Sequence, residues 1–301
     1  MSHHLSAQEI SFFRDNGYLV IPQLVTTDSV SQMDSAINRI ISGGDPIAKV
    51  AELEPTDSSV LRRIWSPSKK DPVFRAVQED PRILDRLEGM IGPDIVFHHS
   101  KLNMKGPRVG SAVEWHQDMS YYPHTNSKLV ACLIYLDEAT EENGCLHVLR
   151  GSHASRQVFD HTENGFFRGR VSVQNLPSGV EEVSLPGEPG TGIFLHCKLL
   201  HRSAPNRSNR QRRCFIPAYR AADSLPIYFG PHAAHNEPDA YLLRGRKSMT
   251  VTSEAAEYPL PIAEKPFNSL FAIQQGEHVA LSDLHTSSSG YATKESGTAL
   301  R

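Results

Sequence analysis

Cysteine is scarce in this chain: Cys132, Cys145, Cys197 and Cys214 are the four among 301 residues, and no two stand in a Cys-x-x-Cys pair. That spacing argues against a disulfide framework and against a thiolate zinc site, and predicts buried free thiols in a reducing compartment. A surplus of either charge is also missing, with 31 Lys and Arg against 34 Asp and Glu and a net charge of -3. The two signs are interspersed, so no broad basic surface exists to attract nucleic acid. No apolar run approaches the length of a membrane span, and none near the start has the form of a signal peptide. The last residues, Thr298-Ala299-Leu300-Arg301, are not a Ser-Lys-Leu peroxisomal address. A cytoplasmic protein with no membrane partner is expected. No internal repeat is present.

What the chain does have is 39% hydrophobic residues, enough for a sizeable core. Ser6-x-x-Glu9 is a capping box ahead of Ile10, Phe12 and Phe13, and Asn16-Gly17 stops that helix before a short strand at 18–21. Val30, Met33, Ile37 and Ile40 or Ile41 recur at helical spacing, starting near Thr27 or Asp28 and ending at Gly43-Gly44. A third helix begins at Asp80-Pro81, turns Leu84, Leu87 and Ile91 inward, and ends at Gly92-Pro93. From Ile95 onward, short β-rich runs separated by Gly, Pro and Asn turns predict a double-sheet β fold such as a jelly roll, with helices outside one sheet. The expected division is a single domain over 1–284, with a helical part at 6–92, a β core at 95–225 and a C-terminal extension at 226–284. Residues 285–301, rich in Ser, Thr and Gly, read as a loose tail.

One tripeptide, His116-Gln117-Asp118, carries the chemistry. Alternate strand residues share a face, so an imidazole and a carboxylate can meet one metal ion there. By itself the triplet says little, since about one His-x-Asp is expected by chance in a chain with 15 histidines. Its surroundings say more: Trp115 precedes it and an apolar run at 129–136 follows. Downstream, Gly190-Thr191-Gly192 leads through Ile193 and Phe194 to Leu199-Leu200-His201, ahead of a turn containing Ser203, Pro205, Asn206 and Asn209. Two histidines and one carboxylate leave open positions on an octahedral metal, the arrangement of non-haem Fe(II) oxygenases. Arg212 follows His201 by eleven residues, a spacing that predicts a hairpin returning beside the metal, where a guanidinium can clamp a carboxylate with two hydrogen bonds.

The chain resembles the phytanoyl-CoA dioxygenase family of Fe(II)- and 2-oxoglutarate-dependent oxygenases. The likeness spans about 6–225. It rests on the opening 12–20, on Lys101-Leu102-Asn103-Met104-Lys105, on Trp115-His116-Gln117-Asp118, on Glu142-Asn143-Gly144-Cys145-Leu146 with Gly151-Ser152-His153, and on Leu200-His201 through Arg212. Arg150 stands where the family usually has proline before the glycine. The resemblance implies a mainly β protein with flanking α-helices around a double-stranded β-helix (jelly-roll, cupin-like) core. It implies Fe(II) on His116, Asp118 and His201, with 2-oxoglutarate and O2 as cosubstrates. Arg212 is then expected to bind the distal carboxylate of 2-oxoglutarate, helped by Ser203 and Asn103. The expected reaction is hydroxylation of a C–H bond of a small molecule with release of succinate and CO2. An intact Asp118 fits hydroxylation, because related halogenases replace that carboxylate by a small residue. Tyr121, Tyr122, Trp65, Arg62, Arg63 and Lys105 are expected to line a pocket for a polar or anionic small-molecule substrate. His98, His99, His124, His147, His153 and His196 read as structural or substrate-facing, with His98 and His99 on opposite faces of a strand. Two other readings stay open: a cupin-like metal-dependent isomerase or lyase without 2-oxoglutarate, and a non-catalytic ligand-binding module of the same fold.

Overall fold

The computed structural model describes residues 3–43, 51–228, 240–265, 267 and 269–276, so the tail expected at 285–301 lies outside the described residues. Helix α1 (Ala7–Asn16) forms behind the reciprocal Ser6 and Glu9 capping box and ends at Gly17, whose φ of 80° favours glycine. Strand β1 (Tyr18–Ile21) and helix α2 (Thr27–Ser42) follow. Thr26 rather than Thr27 or Asp28 caps α2, its hydroxyl accepting from the Ser29 N–H. Beyond the short strand expected at 18–21, the helical part at 6–92 also contains a hairpin, β2 (Glu52–Glu54) and β3 (Asp57–Trp65), before three helices: α3 (Pro67–Lys70), α4 (Pro72–Gln78) and α5 (Pro81–Ile91). Charged residues hid the hairpin from the hydrophobic pattern. Arg62 and Arg63 are buried on β3 because Glu54 and Glu52 of β2 pair with them at 3.3 and 3.4 Å.

The remaining strands are β4 (Ile95–Lys105), β5 (Val113–His116), β6 (Leu129–Tyr135), β7 (Leu146–Leu149), β8 (Glu182–Leu185), β9 (Gly192–His196), β10 (His201–Ser203), β11 (Arg212–Ala221) and β12 (Leu242–Arg244); a last helix, α6, covers Leu270–Gln275. An eight-stranded sheet has the order β1-β9-β6-β11-β4-β3-β2, with β12 also on β4, and a four-stranded sheet has the order β5-β10-β7-β8. Strands β4 to β11 pass between the two sheets in the manner of a jelly roll, the double-stranded β-helix expected from the sequence.

Both faces of the large sheet are covered. Met33, Ile37, Phe74, Ile83 and Leu87 of the helices pack on Leu102, Ile134, Phe194 and Phe215. The alternate residues Leu133, Ile193, Leu195 and Ile216 pack inward with Leu146 and Val148 of the small sheet. Burial on both faces explains why 129–135 reads as an unbroken apolar run. All four cysteines are buried free thiols. Among the described residues, no helix is long and apolar enough to cross a membrane.

Candidate active site

His116 closes β5 and His201 opens β10, and the two are cross-strand partners in the small sheet. Asp118 is not on the strand but begins a one-turn 3-10 helix (Asp118–Ser120). Gln117 between them stays extended, with φ -115° and ψ 133°, which keeps His116 and Asp118 on a common side. Gln117 is fixed from the other side: its amide nitrogen donates to the Lys198 carbonyl at 2.6 Å and its oxygen accepts from the Phe159 N–H at 2.8 Å. Asp118 Oδ1 then sits 3.9 Å from His116 Nε2 and 4.0 Å from His201 Nε2. All three donor atoms lie within 4.8 Å of one another, and all three residues are buried.

The tautomers of both imidazoles leave an Nε2 lone pair with which they could hold a metal. His116 Nδ1 lies 2.7 Å from the Glu114 carbonyl and His201 Nδ1 lies 2.9 Å from the Leu199 carbonyl. A carbonyl only accepts, so Nδ1 carries the proton and Nε2 keeps its lone pair toward the other donors. Burial pushes the His116 pKa down to about 3, with His201 adding to the effect. Burial also works to raise Asp118, but Lys101 and the two imidazoles outweigh it and hold the carboxyl below its usual range. Two neutral imidazoles and a carboxylate suit a divalent ion.

His99 and His196 are likewise pushed down to about 3 by burial, and His124 to about 4. Each of the four histidines is neutral when folded and protonates near pH 6.5 when unfolded, so its contribution to stability is present above that pH and lost as pH falls. Asp160, raised by burial to about 7, acts in the opposite sense over the same window. With four groups against one, the urea midpoint of the metal-free protein is expected to fall between pH 7 and pH 5; an unchanged or higher midpoint contradicts this.

Arg212 reaches the site by a route the spacing did not reveal. Strands β10 and β11 belong to opposite sheets, so 204–211 crosses the sandwich rather than forming a hairpin. Arg212 and His201 therefore line one pocket from its two walls. Arg212 is 3% exposed and has no carboxylate partner among the described residues. Its Nε and Nη2 donate to the Gly144 carbonyl at 3.1 and 2.6 Å, and Nη1 lies 3.2 Å from Cys214 Sγ. Three of its five N–H groups are thus used, which leaves two.

The pocket gathers the other expected residues: Ser203, Asn103, Tyr121, Tyr122, Trp65, Arg62, Arg63 and Lys105 all line it. Asn103 Oδ1 accepts from Arg63 Nε at 2.9 Å. Lys105 is committed elsewhere, its ammonium donating to the carbonyls of Ser111, Ser203 and Ala204.

His98 and His99 do not point apart as expected. Opposite them, Ala218 pairs with His99 and Tyr219 with Phe97, so His98 is the extra residue of a β-bulge. The bulge brings the His98 ring to 4.6 Å from His99 and 4.9 Å from both Tyr122 and His124. His147 pairs with Glu182, and His153 and His196 pack on each other. Arg150, in place of proline, donates its N–H to the Glu181 carbonyl at 2.9 Å, a bond proline lacks, and Gly151 still makes the turn at φ 75°. Sequence reasoning missed three contributors: Lys101, which lines the pocket; Gln274 of α6, which donates to the Tyr121 hydroxyl at 2.8 Å; and Gly144 as the anchor of Arg212. Lys101 stood within a quoted motif, whereas nothing local marked Gln274.

The family model of phytanoyl-CoA dioxygenase matches residues 13–214. A probable alpha-ketoglutarate-dependent hypophosphite dioxygenase of Stutzerimonas stutzeri is 30% identical over 85% of this chain and 91% of its own. The human peroxisomal phytanoyl-CoA dioxygenase is 29% identical, over 73% of this chain and 69% of its own. Among solved structures, EctD from S. alaskensis with bound Fe superposes with a TM-score of 0.67 at 23% identity, covering 81% of this chain and 88% of that one, which shows a shared fold. On the extent of the family match and of the hypophosphite dioxygenase alignment, the chain belongs to the phytanoyl-CoA dioxygenase family of 2-oxoglutarate-dependent non-haem iron oxygenases.

Proposed function

We propose that the chain hydroxylates an unactivated C–H bond of a small molecule, using Fe(II) on His116, Asp118 and His201 and 2-oxoglutarate on Arg212, Ser203 and Asn103. One observation carries this reading: a buried guanidinium without a carboxylate partner opens on the same pocket as two imidazoles and a carboxylate within 4.8 Å of one another. Iron, when bound with 2-oxoglutarate and O2, supplies the oxidising chemistry, in which the cosubstrate becomes succinate and CO2 as one oxygen atom passes to the substrate.

The chain's own residues do the rest. The Glu114 and Leu199 carbonyls hold His116 and His201 in the metal-binding tautomer. The two free N–H groups of Arg212 bind the distal carboxylate of the cosubstrate, which would otherwise be costly to desolvate in this buried site. The Ser203 hydroxyl adds a donor beside it, and Asn103, its oxygen already engaged by Arg63, offers its amide N–H groups. The Tyr121 ring stands edge-on to His116 at 5.5 Å and keeps bulk water from that side.

The relatives carry names of small-molecule enzymes, including the hypophosphite dioxygenase, an ectoine dioxygenase of Sphingopyxis alaskensis and an L-proline trans-4-hydroxylase of Streptomyces griseoviridis. They support a polar or anionic small substrate. An isomerase or lyase without 2-oxoglutarate, and a non-catalytic binding module, each leave the two spare N–H groups of Arg212 without a role. The test is succinate release on aerobic incubation with Fe(II) and 2-oxoglutarate: slow cosubstrate-dependent release is expected even without the second substrate, and none from protein with iron bound contradicts the reading.

Gly144→Ala probes the Arg212 anchor. A Cβ there would meet the Ala204 carbonyl oxygen at 2.2 Å, and the backbone has φ +82°. A loss on the order of 1–3 kcal/mol in stability is expected, together with a higher 2-oxoglutarate KM, read by urea unfolding and by succinate release.

A further inference from the structure

Six cations line the pocket: Arg62, Arg63, Lys101, Lys105, Arg202 and Arg212. Against them stand Glu54 and Asp118 in the lining, Glu52, which pairs with Arg62 and Arg63, and Glu182, which pairs with Arg202. The two charges of a divalent metal cancel the two of 2-oxoglutarate. Six basic and four acidic side chains then leave an excess of two basic groups, and burial lowers the pKa of both Lys101 and Lys105, as expected where positive charge lacks a partner.

The surplus can be located by asking what each cation already holds. Arg62 and Arg63 have their glutamates, Lys105 has three carbonyls, Arg202 has Glu182 and the Trp115 ring, and Arg212 is taken by the cosubstrate in the reading above. Lys101 alone makes no hydrogen bond or ion pair among the described residues. It stands on β4 between Trp65 of β3 and Ile216 of β11, one alternate position from the Arg63, Asn103 and Cys214 row. Burial works to lower its pKa, and Asp118 is the carboxylate that works against this. A divalent ion on Asp118 claims that carboxylate and sets two more positive charges beside the ammonium.

We propose that Lys101, with Arg63 one row away, is the specificity-determining residue of this site and binds an oxyanion group of the primary substrate. The substrate is therefore a small molecule bearing a carboxylate or a phosphorus oxyanion. This rests on the iron and 2-oxoglutarate reading. Trp65 and Ile216, the cross-strand neighbours of Lys101, line the same pocket, and an apolar wall beside a cation strengthens its hold on an anion and disfavours a neutral analogue.

The experiment follows the visible band of the anaerobic Fe(II) and 2-oxoglutarate complex of the full chain while matched probes are added: ethylphosphonate, propionate and the neutral propionamide. In the wild type at least one anion is expected to perturb the band saturably and propionamide to leave it unchanged; which anion binds more tightly separates the phosphorus oxyanion from the carboxylate. Lys101→Met should weaken that anion on the order of 10- to 100-fold, with the 2-oxoglutarate titration little changed, and Lys101→Arg should restore part of it. A normal 2-oxoglutarate titration in Lys101→Met also shows that the variant is folded. Equal response to propionamide, response to none of the three, or weakening of 2-oxoglutarate in place of the anion overturns the proposal and leaves the iron reading standing. Absence of the band in iron-loaded wild type overturns both.

Discussion

Replacing Asp118 by alanine is expected to abolish succinate release and to strip iron from the protein. Loss of an outer partner of a metal ligand typically costs about 10–100-fold in affinity or activity, so loss of a ligand itself should exceed about 100-fold. The change also removes the carboxylate that works against the lowering of the Lys101 pKa, so some destabilisation is expected alongside. Asp118→Asn separates the two effects: it keeps the shape and packing of the side chain while removing the charge that binds the metal. Metal analysis after gel filtration, succinate assay and urea unfolding of both variants check this. Wild-type turnover in Asp118→Ala would remove Asp118 from the metal site.

Arg212→Ala should act on the cosubstrate rather than on iron. The arginine has two N–H groups to give a carboxylate, and hydrogen bonds to charged groups contribute about 1.5–3 kcal/mol each. The expected rise in 2-oxoglutarate KM is therefore on the order of 100-fold or more, with iron content unchanged. Arg212→Lys should recover only part, because an ammonium does not reproduce the two-pronged geometry and cannot keep both bonds to the Gly144 carbonyl. A variant that loses iron while its 2-oxoglutarate KM stays put would place Arg212 in a structural role.

Much of the site was legible in the sequence because its parts are local. His116-Gln117-Asp118 is one tripeptide, an apolar run precedes His201 and another follows Arg212, and the helix ends carry their own capping residues. What stayed hidden depends on how distant strands meet. The hairpin of β2 and β3 was read as part of a helical region because Glu52, Glu54, Arg62 and Arg63 interrupt its apolar alternation. Three of those charges, Glu54, Arg62 and Arg63, line the pocket, and functional sites are where local pattern rules are most often broken. The spacing from His201 to Arg212 was noticed, yet its meaning is a crossing between sheets rather than a hairpin. His98 and His99 share a side only because of a bulge, which a strand pattern cannot announce. Gln274 comes from α6, far along the chain, and carries no local mark of its role.

The most direct test of the account is an anaerobic titration of the Fe(II)-loaded protein with 2-oxoglutarate, followed by the weak visible charge-transfer band that appears when this cosubstrate chelates iron. The expected band saturates in the wild type, needs far more 2-oxoglutarate in Arg212→Ala and is absent in Asp118→Ala. A wild-type protein with iron bound and no band at saturating 2-oxoglutarate would contradict it.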